Sequence, residues 1–301
     1  DSTFKAIFKK LGFALSEDPA KDKQFSKKFS PLGVEIDLSK SGEGLVSISP
    51  KVGRVVKIVE HCKTIVKDGK LTFKDARILQ GVLRFLRESL FGRCGGMLLH
   101  RLQQHQGSSG SVSVSKTLEE ELLWLICYLP VASPRLIKVC ELESVVHLFC
   151  DGACEPERVT VGGCLFEAGR RPEAFGSEVP LPVVRRWTAG VKHQVIGQAE
   201  IAPVTISTRL WSERLRGRFC ICWIDQDAAR QAVIKGYSPV RESAGLVEEI
   251  SLRLASLGAF VWYARVPSAS NPADHPSRLD WKKFFSFFPD ARRVAVPSAA
   301  W

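Results

Sequence analysis

The chain has 301 residues, 45% of them hydrophobic, which is enough to build the cores of about two domains. Lys and Arg total 43 against 32 Asp and Glu, and the resulting charge of +11 favours a polyanionic partner such as nucleic acid over an acidic substrate. Residues 1–106 hold 20 of the basic and 11 of the acidic groups, so we expect this part to face phosphate.

Other totals exclude further classes. The longest apolar run, 122–132, has 11 residues and is too short to span a bilayer, so we expect no membrane partner. The nine cysteines never form a CxxC pair and no histidine completes a zinc cluster, which favours reduced thiols in an intracellular protein, cytoplasmic or nuclear without distinction. Asp1 opens the chain and Met97 is the single methionine, so we interpret the sequence as a fragment or a processed piece.

The N-terminal third predicts a hairpin and two basic helices. Strand-like runs at 32–38 and 45–49 flank a Ser-Lys-Ser-Gly turn. Apolar residues at helical spacing follow over 52–66, and a second helix begins after Thr72. Lys and Arg lie on the opposite face of both helices, where an ordinary solvated surface and a phosphate-binding surface are both open interpretations.

A polar, Gly- and Ser-rich stretch at 103–115 predicts a flexible linker, and a helix over 118–129 with Thr117 as its N-cap follows it. The predicted division is a nucleic-acid-binding region at 1–106, a linker at 107–117, a connecting helix within 118–140 and a final domain at 141–301.

The final domain predicts a mixed sheet flanked by helices, an α/β fold, because strands come first in series and then alternate with helices. A third strand is expected somewhere in 173–195, and Pro203 must lie in the first turn of its helix or kink it. The other predicted strands are 145–151, 161–168, 219–225 and 259–266, and the predicted helices are 197–215, 227–235 and 241–257.

Two of these strands are predicted to end in an aspartate, Asp151 and Asp225. An ionised carboxylate after a buried strand is costly unless a cation or a helix N-terminus receives it, and the ends of adjacent parallel strands share one edge of a sheet. Glu200 and Asp274 are two further candidates. Four acids without His or Cys ligands favour Mg²⁺ or Mn²⁺. Each acid taken singly is also explained as a turn former, a helix cap or a surface residue.

The order of these acids and the words around them resemble the ribonuclease H domain of retroelement reverse transcriptases. The matching words are CDGA at 150–153 with GG at 162–163, QAE at 198–200, WIDQDAA at 223–229 and VPSxxNPADxPSR at 266–278. The last two look most like the versions in pararetroviruses and tyrosine-recombinase retrotransposons. The resemblance covers about residues 140–280 and implies a ribonuclease H-like fold in which Asp151, Glu200, Asp225 and Asp274 bind two metal ions.

The upstream words LGVEID, DGKLT and LQGVLRFLRESLFGR are similar to the segment that follows the polymerase palm in such proteins. This similarity implies a mainly helical thumb and connection for 1–106, which would pack against a nucleic-acid duplex. Lys57, Lys63, Arg77 and Arg84 are the candidate phosphate contacts, with affinity independent of base sequence.

Three departures from the family pattern bear on function. No Tyr-x-Asp-Asp word occurs, so we expect the polymerase palm to be missing from this fragment and to lie upstream in the parent polyprotein. The loop 267–272 lacks the histidine of cellular ribonucleases H, while His275 lies beyond Asp274 and is either a proton-transfer group or a surface residue. The segment 169–196 is either a substrate-contacting insertion or a degenerate loop.

The resemblance therefore implies hydrolysis of the RNA strand of RNA–DNA hybrids with two Mg²⁺ or Mn²⁺ ions, and backbone groups near Gly152, Ala153 and Glu200 would contact the 2′-hydroxyl. The alternative is a non-catalytic, nucleic-acid-binding remnant of a degenerate retroelement. A transposase or integrase on the same fold is a third class, although the NPAD word fits the ribonuclease better.

Overall fold

The computed structural model contains two sheets, each with its own surrounding helices. It describes residues 2–12, 26–31, 33–87, 93–107, 112–139, 144–156, 158–189 and 195–301.

The N-terminal region is a four-stranded antiparallel sheet with helices beside it, in the strand order β1-β2-β3-β4. Its elements are α1 (Ser2–Lys10), β1 (Lys28–Phe29), β2 (Val34–Asp37), β3 (Leu45–Pro50), α2 (Val52–Asp68), α3 (Phe73–Leu86), α4 (Gly96–Gly107), α5 (Lys116–Tyr128) and β4 (Arg135–Lys138). The predicted hairpin and both predicted basic helices are confirmed.

Local signals explain where these helices begin and end. Gly69, with a φ of 62°, ends α2, and the Thr72 side chain accepts a hydrogen bond from the Asp75 N–H at the start of α3. The predicted cap of α5 is wrong: Ser115 caps the helix by accepting the N–H of Leu118, two residues before the predicted Thr117. Part of the second predicted helix, including Leu90, lies outside the described residues.

Helices α2 to α5 share one hydrophobic core, which includes Cys62, Leu83, Leu102 and Leu122. The segment before α5 also pairs with the segment after α2, because the Leu71 N–H donates to the Val112 carbonyl and the Val114 N–H to the Gly69 carbonyl. α5 therefore packs into the N-terminal helices. The division at 107–117 stays a prediction.

The C-terminal region is a mixed sheet flanked by helices, as the sequence predicted, and it has six strands in the order β10-β7-β6-β5-β8-β9. β5, β6 and β7 are antiparallel neighbours, whereas β5, β8 and β9 run parallel. Its strands are β5 (Val146–Cys154), β6 (Val159–Phe166), β7 (Glu173–Glu178), β8 (Phe219–Ile224), β9 (Phe260–Arg265) and β10 (Arg292–Arg293). Its helices are α6 (Leu181–Thr188), α7 (Ile196–Leu210), α8 (Ser212–Leu215), α9 (Asp227–Lys235), α10 (Arg241–Leu257), α11 (Asp274–Ser277) and α12 (Trp281–Phe287).

Helices cover the two faces of this sheet unequally. Cys220, Cys222 and Ile224 of β8 are buried in a core with residues of α7, α9 and α10. On the other face, Phe284 of α12 packs against Cys164 of β6 and its neighbours. The described part of the chain holds no helix with the length and apolar character of a membrane span.

Arg93 connects the two regions. Its guanidinium donates to the Ile234 carbonyl at 3.3 Å and to the Val261 carbonyl at 3.1 Å, and it lies 4.6 Å from the centre of the Tyr263 ring. The N-terminal helices therefore pack beside β9, at the edge of the C-terminal sheet.

Candidate active site

The two strand-end aspartates are neighbours, as the parallel pairing predicted. β5 and β8 pair with Cys150 opposite Ile224, so the next residues along the two strands are Asp151 and Asp225. One detail of the prediction is wrong: Asp151 does not end its strand but lies inside β5, opposite Gly162 of β6. The pairing with β6 extends β5 to Cys154 and holds Asp151 on a strand.

Glu200 reaches the same place from α7, where it is buried rather than on the surface. The helix crosses β5 so closely that a Cβ atom on Gly152 would overlap the carbonyl of Ala199. Pro203 lies inside α7, and the helix continues past it. Because proline has no N–H, it cannot donate the usual helical hydrogen bond to the Ala199 carbonyl. The Gly152 N–H donates to the Glu200 carboxylate. A glycine at this point therefore both admits the helix and binds its acid.

Asp151, Glu200 and Asp225 form what we call the carboxylate cluster. Each contributes an oxygen, and the three oxygens lie within 4.8 Å of one another. Asp151 is 5% exposed and Glu200 6%. The buried Oε2 of Glu200 and Oδ1 of Asp225 have no hydrogen-bond partner. Because buried, unpaired carboxylate oxygens are costly, this arrangement fits a bound cation with oxygen ligands.

The pKa values of the cluster also favour a bound cation. Burial, followed by the charges of Asp151 and Asp225, raises the pKa of Glu200 to about 9 against the opposing hydrogen bond from Gly152. Burial also raises the pKa of Asp151 to about 6, although the Ser277 hydrogen bond acts in the opposite direction. The cluster concentrates more negative charge than the surrounding protein neutralises.

Asp274 lies beside the cluster but is not one of the three acids that meet. It begins α11, and the Arg278 Nε donates to its carboxylate at 2.8 Å. The pKa of Asp151 is raised most by burial, then by the charge of Asp225, and then by the charge of Asp274. The role of Asp274 as a fourth ligand stays a prediction.

Ser277 is a site residue that the sequence analysis missed. Its hydroxyl contacts the Asp151 carboxylate and the carbonyl of Asp274. α11 can lie this close to the sheet because Gly162 and Gly176 have no Cβ atoms, which would overlap the backbone of Ser277 and Pro276. The Pro-Ser-Arg letters after NPAD, together with the paired glycines, were the available signal.

The remaining predicted site residues are the candidate substrate contacts, and none of them belongs to the carboxylate cluster. Ala153 is buried in β5, next to Gly152. Lys57, Lys63, Arg77 and Arg84 are exposed on α2 and α3, and Lys63 pairs with Glu60 at 2.9 Å. Their contacts with substrate stay predictions.

The sequence left two interpretations open for His275 and two for the segment 169–196, and the structure describes His275 and most of that segment. His275 stacks on Phe287, with 5.6 Å between ring centres, and its Nδ1 is 3.9 Å from the Asp274 carboxylate. In the segment 169–196, β7 and α6 are formed, and Arg185 and Arg186 occupy the last turn of α6. Lys192 and His193 lie outside the described residues.

No protein-family model and no curated protein matches the chain. Among solved structures, it is similar to the RNase H1 of the archaeon Halobacterium salinarum at 15% identity and a TM-score of 0.35, over 46% of this chain and 98% of that one. It is also similar to a foamy viral protease-reverse transcriptase solved with double-stranded DNA, at 12% identity, a TM-score of 0.32, and 83% and 47% coverage. The same viral enzyme with an RNA/DNA hybrid matches at 11% identity and a TM-score of 0.32, over 84% of this chain and 31% of that one.

Proposed function

We propose that the chain hydrolyses the RNA strand of RNA–DNA hybrids, as the ribonuclease H part of a retroelement reverse transcriptase whose polymerase domain lies upstream. The observation that carries the proposal is the carboxylate cluster, in which acids from β5, from α7 and from the residue after β8 meet, and in which Glu200 and Asp225 each bury an oxygen without a partner. The resemblance of the words around these acids to retroelement ribonucleases H supports the choice of substrate.

Asp151, Glu200 and Asp225 would hold two Mg²⁺ or Mn²⁺ ions, with Asp274 as the candidate fourth ligand. An all-oxygen set of acids suits these hard cations better than it suits zinc or copper. When bound, such ions activate the attacking water and stabilise the departing 3′ oxygen of the cleaved strand.

The surrounding residues orient the ligands. Ser277 hydrogen-bonds the Asp151 carboxylate, and the Gly152 N–H does the same for Glu200. Arg278 holds the Asp274 carboxylate beside them. Partners of this kind fix the direction of a ligand and set its basicity. Because Glu200 uses the Gly152 N–H, contact with an RNA 2′-hydroxyl would fall to other backbone groups near Gly152 and Ala153.

Binding would rest on the basic residues. The exposed Lys57, Arg77 and Arg84 of α2 and α3 suit phosphate contacts, which give salt-sensitive affinity without base specificity.

Asp225→Asn tests the proposal. We expect cleavage of an RNA–DNA hybrid with Mg²⁺ to fall at least about 100-fold, since losing a ligand costs more than the 10- to 100-fold typical of residues that only orient one. Asp227→Asn is the matched control: Asp227 is exposed, pairs with Arg230 at 2.8 Å and begins α9, so its loss should leave the rate near the wild-type value.

Equal cleavage by the wild type and Asp225→Asn would refute the assignment of the site. Tight hybrid binding by the wild type with no metal-dependent cleavage would instead favour the non-catalytic remnant.

A further inference from the structure

One half of the C-terminal sheet has an open face lined with aromatic rings. On β8, Phe219, Ile221 and Trp223 alternate with buried residues and are half-buried themselves. Trp262 of β9 lies opposite Ile221 and is 72% exposed. We call the side chains of His147, Phe149, Phe219, Trp223, Phe260 and Trp262 the aromatic face.

The rings of the aromatic face are ordered by contacts across the strands. Phe149 and Trp223 stack with 5.7 Å between ring centres and 9° between planes. Phe219 and Phe260 stack at 5.1 Å and 19°. Trp262 lies between these pairs in the register of the sheet and has most of its surface available. The face therefore offers a preformed stacking platform.

The aromatic face continues directly from the carboxylate cluster. Side chains two residues apart on a strand share a face, so Asp151 and Phe149 lie on the same face of β5, and Asp225 directly follows the last residue of β8. α12 packs over β6 and β7 on this side of the sheet and also against Phe149 of β5, whereas none of the described residues of that cluster comes from β8 or β9. The rings nearest to Asp151 and Asp225 along their strands are therefore Phe149 and Trp223.

The charges at the aromatic face suit a polyanion. The Arg135 guanidinium lies 5.7 Å from the centre of the Phe260 ring. Arg265 ends β9 with its side chain 66% exposed, and Asp227 is 3.9 Å from it. At the far end of the sheet Glu167 is nearby, but Arg214 and Arg218 both bond to it.

We propose that the aromatic face binds a single-stranded stretch of nucleic acid continuous with the strand held at the carboxylate cluster. The continuity of this single strand with the cleaved strand rests on the proposed function, whereas the binding of single-stranded nucleic acid to the aromatic face does not. Every base has an apolar face, so aromatic rings stack on bases without regard to sequence, and flanking arginines attract the backbone. A second copy of the chain or a protein partner would need no such arginines.

The first test measures the affinity of a fluorescently labelled single-stranded oligodeoxynucleotide by anisotropy, in EDTA so that no hydrolysis contributes. We expect Trp262→Ala to bind about 10-fold more weakly, which corresponds to the loss of one stacked base. Trp262→Phe should keep most of the affinity because it keeps a ring. Leu181→Ala is the control, since Leu181 is 59% exposed on α6, whose buried Val183 and Trp187 pack in the core on the other side of the sheet.

Equal affinity of Trp262→Ala and the wild type would overturn the inference. So would unchanged oligonucleotide binding together with loss of self-association in sedimentation, which would make a second copy the occupant.

Cleavage separates this inference from the proposed function. Trp262→Ala should cleave a blunt hybrid like the wild type but a hybrid with a single-stranded extension more slowly. If the wild type cleaves neither hybrid, the proposed function fails, and the binding assay in EDTA still decides whether the aromatic face holds a single strand.

Discussion

At one end of the C-terminal sheet, the Glu167 and Glu173 side chains bond directly to arginines, whereas in the carboxylate cluster at the other end no described lysine or arginine bonds to an acid. The Glu167 side chain is 5% exposed and bonds to Arg214 at 2.6 Å and to Arg218 at 3.0 Å. Glu173 accepts hydrogen bonds from Trp211 and Arg292 at 2.8 Å. Asp151 and Glu200 are more deeply buried than Glu167 and Glu173, and the two ends also differ in the partners they provide.

The pKa values follow the partners. Burial alone would raise the pKa of Glu167, but the hydrogen bonds of Arg214 and Arg218 outweigh it and lower that pKa. Glu200 has only a backbone N–H against its burial and two neighbouring acids, and its pKa rises to about 9. The fold can supply arginines to buried acids and does so where the acids are structural. Among the described residues no arginine bonds to the carboxylate cluster, since Arg278 pairs with Asp274 and acts on Asp151 only through its charge, and this points to a cation from outside the chain.

Arg214→Ala should produce the largest change in stability. It removes a cation from two buried acids, and breaking a buried pair by losing one partner costs about 3 kcal/mol or more. Urea unfolding would measure the loss. Arg216→Ala is the matched control, because Arg216 is exposed and pairs with the exposed Glu213, and it should leave the unfolding free energy unchanged. Equal effects of the two variants would mean that the arginine pairing is not structural.

Added metal should have the next largest effect. A cation that binds only the folded protein stabilises it by about 2.7 kcal/mol at a concentration 100 times its Kd. Thermal unfolding of the wild type should therefore shift upward with Mn²⁺, while Asp225→Asn should shift much less. An equal shift in both proteins would place the bound ion elsewhere.

Local patterns in the sequence predicted most elements of the C-terminal sheet. The helices expected at 227–235 and 241–257 match α9 and α10, because their apolar spacing and the glycines that end them, Gly236 and Gly258, act within a few residues. The convergence of Asp151 and Asp225 also followed from the pattern, since parallel strands share an edge.

Features that depend on distant pairing were not predictable in this way. The extension of β5 beyond Asp151 requires β6 beside it, and the place of Ser277 requires the glycines of β6 and β7 beneath α11. The burial of Glu200 depends on how closely α7 crosses Gly152. Such packing is set by the assembled sheet, not by the letters around each residue.

Glu200→Gln should give the smallest and most informative change, a gain in stability without metal. Glu200 keeps its proton up to about pH 9 in the folded chain but loses it near its ordinary pKa in the unfolded chain. The folded state therefore binds more protons across this interval, so the wild-type unfolding free energy falls as pH rises from about 4.5 to about 9. Since a pKa difference of one corresponds to about 1.4 kcal/mol, we expect Glu200→Gln to be at least about 1 kcal/mol more stable than the wild type at pH 8 in EDTA, with a flatter pH profile.

Glu167→Gln is the matched control and should be less stable than the wild type at the same pH, because it weakens two arginine bonds. Chemical unfolding of the three proteins at several pH values measures both signs, and a loss of stability in Glu200→Gln would show that the carboxylate cluster is neutralised within the chain after all.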